Sequence, residues 1–145
     1  MREAFHHIRK AYLDRLTNAI SIGGSYVPVF NRVPTNTNTP FIRIYSYLED
    51  EIDQNQSSFI TECITRIECI TSFLGDDGGE YQLNQIVDGV LNLIRTRSGG
   101  YIDLSSDNFN VYTTTIDRIR YFEDYEQNET FFRAVIEVSN RVEKI

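Results

Sequence analysis

The stretch FITECITRIECITSF, residues 59–73, decides how this chain is read. Seven of its fifteen residues are Ile or Thr, whose branched Cβ suits a pleated strand better than a helix. Helical spacing is present as well, since Ile60, Ile64, Ile67, Thr71 and Leu74 would share one helix face. Composition tips the balance to a strand. Side chains then alternate, placing Phe59, Thr61, Cys63, Thr65, Ile67, Cys69, Thr71 and Phe73 on a moderately apolar side. The opposite side carries Ile60, Glu62, Ile64, Arg66, Glu68 and Ile70. A solvent face seldom needs three isoleucines, and a core face rarely tolerates Glu, Arg and Glu. A subunit interface with apolar anchors and register-setting charge pairs accommodates both. So does a strand half covered by a loop.

The two cysteines carry no chemistry on this reading. On a strand Cys63 and Cys69 lie about 20 Å apart, six steps of ~3.3 Å. On a helix they are about 9 Å apart along the axis and on different faces. A disulfide needs Cα atoms within about 7 Å, and zinc wants shorter Cys spacing with at least two further ligands. Two buried thiols are expected, as suits a reducing cytoplasm.

Working outward, the sequence predicts a first amphipathic helix from Arg2 to about Ile20, with Phe5, Ile8, Tyr12, Leu16 and Ile20 on one face and Gly23 and Gly24 ending it. Two β-rich runs, Tyr26 to Val33 and Phe41 to Leu48, flank the proline-bounded PTNTNTP, and Pro28 marks the first as an edge or irregular strand. LEDEIDQNQ reads as a solvated loop or the frayed end of a hairpin. After the turn LGDDGGE, a second helix is predicted from Glu80 to Thr96, with Leu83, Ile86, Val87, Val90, Leu91 and Ile94 as its apolar stripe. Asp76, Asp77 and Glu80 place negative charge at its positive end. Short extended pieces near Tyr101 to Leu104 precede strands from Asn110 to Phe122 and from Thr130 to Val138, with EDYEQNE as the turn between them. The expected architecture is therefore α+β, one domain spanning 1–145 in the order α–β–β–β–α–β–β. It is a mostly antiparallel sheet with both helices on one face.

Composition narrows function. With 145 residues, 41% hydrophobic, the chain can bury a single sizeable core. Its formal charge of −7 argues against wrapping nucleic acid or coating anionic membrane, both of which need Lys and Arg. It permits a duplex to slide past without being gripped. No apolar run reaches membrane-span length, and MREAFHHIRKAYLDRL lacks the apolar core of a signal peptide. The Gly pairs at 23, 78 and 99 lack the Lys and Ser or Thr of a phosphate loop. Asp76 with Asp77, and Glu49, Asp50, Glu51 with Asp53, are the carboxylate pairs a Mg²⁺-dependent nuclease would use, but on loops they have no fixed geometry. His6 and His7 have no evident partner. Arg118 and Arg120 share one strand face and are expected to pair with carboxylates across the sheet or, as the alternative, to contact a partner. An RNA-binding sheet would want exposed aromatics in a basic field, against the acidic total.

The helix, the strand end VFNRVP, the strand start PFIRI, the long FITECITRIECI and the helix QLNQIVDGVLNLI together resemble the tail-completion family of tailed bacteriophages, over nearly the whole chain. The resemblance implies a non-enzymatic virion protein without cofactor or metal, assembled in the bacterial host cytoplasm and placed at the head–tail junction. Such a tail terminator or neck connector forms a homo-oligomeric ring, a hexamer in the first instance and a dodecamer in the second. It joins tail proteins to the portal-neck adaptor while genomic DNA passes without specific binding. Ile60, Glu62, Ile64, Arg66, Glu68 and Ile70 are then the expected subunit interface. Glu49, Asp50, Glu51, Asp53, Glu123, Asp124 and Glu126 are the expected docking loops, more acidic than in a minimal member. A binding module outside any virion is the alternative, with a metal-dependent nuclease behind it.

Overall fold

A computed structural model describes residues 3–52, 59–75, 78–95 and 102–145. Helix α1 (Phe5–Leu16) buries Phe5, Ile8, Tyr12 and Leu16, the predicted stripe. Its end comes earlier than Gly23. Thr17 leaves helical geometry and its Oγ1 donates to the Leu13 carbonyl at 2.6 Å, and Asn18 turns the chain with φ 55°. Gly23 and Gly24, expected as helix stops, instead form the two-residue turn between β1 (Ser21–Ile22) and β2 (Ser25–Tyr26), where φ values of 61° and 84° favour glycine.

The main sheet holds β3 (Val29–Phe30), β4 (Phe41–Glu51), β5 (Ile60–Leu74), β6 (Phe109–Glu126) and β7 (Glu129–Lys144), in the order β3-β4-β5-β7-β6. The long β5 is central and runs antiparallel to β4 and β7. The sequence placed a strand from Tyr26 to Val33 before β4. Tyr26 pairs with Ser21 of β1 instead, and only Val29 and Phe30 join the main sheet, parallel to β4, so the two runs do not form a hairpin. Pro28 has no N–H to give a ladder, but its carbonyl accepts the Ile42 N–H at 2.9 Å, which holds β3 at the sheet edge.

Helix α2 (Tyr81–Ile94) buries Leu83, Ile86, Val87, Val90 and Ile94, with Leu91 partly buried. Glu80 is its N-cap residue without a capping side-chain bond; Asp76 and Asp77 lie outside the described residues. The chain enters α2 past Gly78, whose φ is 85° and where a Cβ would lie 2.5 Å from the Phe73 ring. Both helices pack on one sheet face, α1 over β4 and α2 over β5 and β7. Between helices and sheet lies one continuous core that includes Ile42, Ile44, Ile67, Ala134, Ile136 and Val138. This is the expected α+β single domain, with a mostly antiparallel sheet.

Two further departures shape the surface. Residues 102–104, where extended pieces are expected, form no strand and lead into a 3₁₀ turn (Ser105–Asp107), while Tyr101 lies outside the described residues. The last two strands are also longer than their hydrophobic alternation suggests. EDYEQNE is mostly strand, and the turn is only Gln127 and Asn128, with φ 50° and 65°. From Arg120 to Glu126 every β6 residue is exposed, while its partner β7 stays paired with β5 as far as Glu129 and buries Phe132 and Ala134, so this part of β6 is the bare edge of the sheet.

Candidate functional site

The site grows from the alternation of β5. Thr61, Cys63, Thr65, Ile67, Cys69 and Thr71 face the helices and are buried. Both thiols are free, and burial pushes each up to about 12, so neither holds a thiolate near neutral pH. Ile60, Glu62, Ile64, Arg66, Glu68 and Ile70 face the other way, onto a side of the sheet that no described element covers. All are intermediate in burial except Glu68, which is buried.

Register assembles the rest of this open face in rows. Tyr45, Arg66, Glu137 and Arg118 lie side by side across β4, β5, β7 and β6. The next row is Arg43, Glu68, Val135 and Arg120, and the one beyond it Phe41, Ile70, Arg133 and Phe122. Two bulges set these rows. An irregularity between Ser46 and Leu48 leaves Tyr47 over the face. A second, between Ile116 and Arg118, reverses the phase of β6, so that Ile116 meets Val138 on the core side while Arg118 meets Glu137 on the open side.

Ionic contacts knit the rows. Arg66 Nε and Nη2 donate to Glu137 Oε1 at 3.2 and 3.0 Å, while Arg118 Nε reaches Glu137 Oε2 at 3.3 Å. The Arg118 pairing expected from sequence is thus present; Arg120, its companion, forms no ion pair among the described residues. Guanidiniums lie over rings: Arg66 over Tyr47 at 3.5 Å, Arg43 over Tyr45 at 4.3 Å and Arg133 over Phe122 at 4.8 Å. Ser139 Oγ donates to Glu62 Oε1 at 2.7 Å. Asp117, at the bulge, has its carboxyl raised above the ordinary range by burial, then by the charges of Glu62 and Glu137.

The acidic docking segments are placed differently from the sequence reading. Glu49, Asp50 and Glu51 belong to β4 and not to a loop, and Asp53 lies outside the described residues. Glu49 sits opposite Cys63 on the helix side, near Glu3. Burial and the Glu3 charge raise its carboxyl above the ordinary value. Glu123, Asp124 and Glu126 line the distal part of β6, where Asp124 and Glu126 share the open face with Phe131 and Arg133 at a cavity of about 360 Å³.

Sequence reasoning missed a partner for His7. Its Nδ1 lies 3.3 Å from Asp107 Oδ2 and its ring packs 5.4 Å from that of Phe109, although its Nε2 is buried without a hydrogen bond. Neither Asp107 nor Phe109 is near His7 in sequence, so spacing could not find them. The contact ties α1 to the 3₁₀ turn. Among the described residues no group of three or more His, Cys, Asp or Glu side chains is placed to hold a metal ion, and no helix is long and apolar enough to cross a membrane. Neither a protein-family model nor a curated protein sequence matches this chain. What the geometry offers is a binding surface: half-buried isoleucines and aromatics set among fixed charges on a rigid sheet.

Proposed function

We propose that this chain is a structural subunit that closes into a ring at the head–tail junction of a tailed bacteriophage. There it joins tail to neck and leaves a channel for DNA. The observation that carries the reading is the open face of β5. It holds Ile60, Ile64 and Ile70 half-buried beside a glutamate buried to 6% exposure, on a side of the sheet that no described element covers. Apolar anchors interleaved with ordered ion pairs are what a stable, register-specific protein contact requires. A subunit with neighbours on two sides needs more than one such surface, and the exposed edge strand β6 offers the second. The net charge of −7 suits a passage that duplex DNA traverses without adhering. A hexamer is the symmetry to look for first.

The test is electron microscopy of the purified chain across a concentration series, expecting closed rings with a central hole. Phage particles made without the protein are expected to show unjoined heads and tails. Intact, infectious particles from a clean deletion defeat the proposal.

A further inference from the structure

Charge on the open face is banded along the strands. The three central rows hold Arg43, Arg66, Arg118, Arg120 and Arg133 against only Glu68 and Glu137, a formal +3 in a chain of −7. A shallow cavity of about 260 Å³ lies over this band, lined by Arg66, Arg120 and Arg133 together with Tyr45 and Phe122. Two of its cations have capacity to spare. Arg120 is exposed and forms no ion pair among the described residues, and Arg133 Nε is buried without a hydrogen-bond partner, which is costly unless something supplies an acceptor.

The matching acids are on the same strand as Arg120 but out of its reach, although they border the cavity of about 360 Å³ that Arg133 also lines. Asp124 and Glu126 are both exposed at the hairpin tip, four and six residues beyond Arg120, or about 13 and 20 Å along the strand. Neither forms an ion pair among the described residues. A second copy slid along the face by that distance brings acid to base.

We propose that the arginine band receives the β6–β7 hairpin tip of a second copy of this chain, with Asp124 and Glu126 of one copy against Arg120 and Arg133 of the next. This rests on the reading of the open face as a subunit contact and gives that contact a direction. Tip and band are different patches, so the pairing can repeat head to tail, the kind of contact that closes rings. Nucleic-acid phosphate is the competing occupant. It is disfavoured because Tyr45, Tyr47 and Phe122 already carry this chain's own guanidiniums on their rings, leaving less surface for stacked bases. The acidic total repels a polyanion as well.

The experiment is sedimentation of the full chain at low and high salt, for wild type, Asp124→Lys/Glu126→Lys, Arg120→Glu and an equimolar mixture of the two variants. All three positions are exposed, so unchanged thermal melts are expected and serve as the folding control. Each variant alone is expected to weaken self-association about tenfold or more, ~1.4 kcal/mol per factor of ten. The mixture, in which Lys tips meet a Glu-bearing band, is expected to recover assembly, and wild-type assembly is expected to weaken with salt. Wild-type assembly that the tip variant leaves unchanged overturns this contact while leaving the ring reading standing. A wild type that stays monomeric at every concentration overturns both. Binding of a labelled single-stranded oligonucleotide that Arg120→Glu abolishes, with self-association untouched, assigns the band to nucleic acid instead.

Discussion

The two sides of β5 share a backbone, a register and a composition rich in isoleucine, yet they solve different problems. On the helix side Cys63, Thr65, Ile67, Cys69 and Thr71 are all at 0% exposure, closed over by α1 and α2. On the open side Ile60, Ile64 and Ile70 stay half-buried, and charges between them have partners on β7: Arg66 pairs with Glu137, and Glu62 accepts a hydrogen bond from Ser139. Burial under the helices leaves the β5 positions there uncharged; the open face holds ionic groups, even the buried Glu68 and Glu137. The difference teaches which side belongs to the fold and which, on the proposed reading, is left for an assembly.

The sharpest way to break the comparison is to remove the same side chain from each side. Ile67→Ala leaves a hole in the closed core and is expected to cost about 2–5 kcal/mol of unfolding free energy. Ile64→Ala, three residues away on the open side, is expected to cost the isolated chain roughly 1 kcal/mol, since part of its surface is already in water. Chemical denaturation of both variants checks this. In the assembled state the order changes, because Ile64→Ala is then expected to weaken self-association while Ile67→Ala acts only through folding. Equal losses in the monomer refute the division of labour between the faces.

A smaller effect tests the one polar thread through the core. The Tyr12 hydroxyl donates to Asn140 Oδ1 at 2.9 Å, and Asn140 Nδ2 donates to the Thr113 carbonyl at 3.2 Å and to Thr114 Oγ1 at 3.0 Å. Helix α1 is thereby tied to the edge strand β6 through β7. Burial pushes the Tyr12 hydroxyl up to about 12, so it stays a donor across the usable pH range. Tyr12→Phe strands a buried acceptor and is expected to cost about 1–3 kcal/mol. Arg66→Gln on the open side is expected to cost about 1 kcal/mol or less, since Arg118 still reaches Glu137 and partly exposed ion pairs contribute little.

Much of this contrast was legible in the sequence because it rests on a period of two. The alternation in FITECITRIECITSF names both faces of β5, and the three- and four-residue stripes name the buried sides of both helices. Illegible features depend on single irregular residues or on distant partners. The bulge at Asp117 turns Arg118 and Arg120 toward the open face, the one in β4 leaves Tyr47 there, and no local pattern announces either. EDYEQNE reads as a turn because charged residues dominate it. Glu123 to Glu126 are strand residues on the exposed edge of the sheet, where both sides of β6 are wet and the alternation disappears. The parallel pairing of β3 escapes because two residues carry no period, and His7 with Asp107 because α1 and the 3₁₀ turn meet only in the fold.

The weakest effect separates the acids that the sequence grouped together. Glu49, on the helix side beside Glu3, has its carboxyl raised above its ordinary 4.5 by burial and then by the Glu3 charge. The folded chain therefore holds that proton more tightly than the unfolded chain does. This contribution is fully present below the unfolded value, near 4.5, and is lost as pH rises through the higher folded value. Glu49→Gln removes both the titration and the repulsion. Its melting temperature is thus expected to exceed that of wild type at pH 7, with the gap narrowing as pH falls toward 4.5. Asp124→Asn, exposed at the hairpin tip, is expected to leave the melting curve unchanged over the same range. A Glu49→Gln gap that stays constant with pH removes Glu49 from the closed side and returns it to the outward-facing acids.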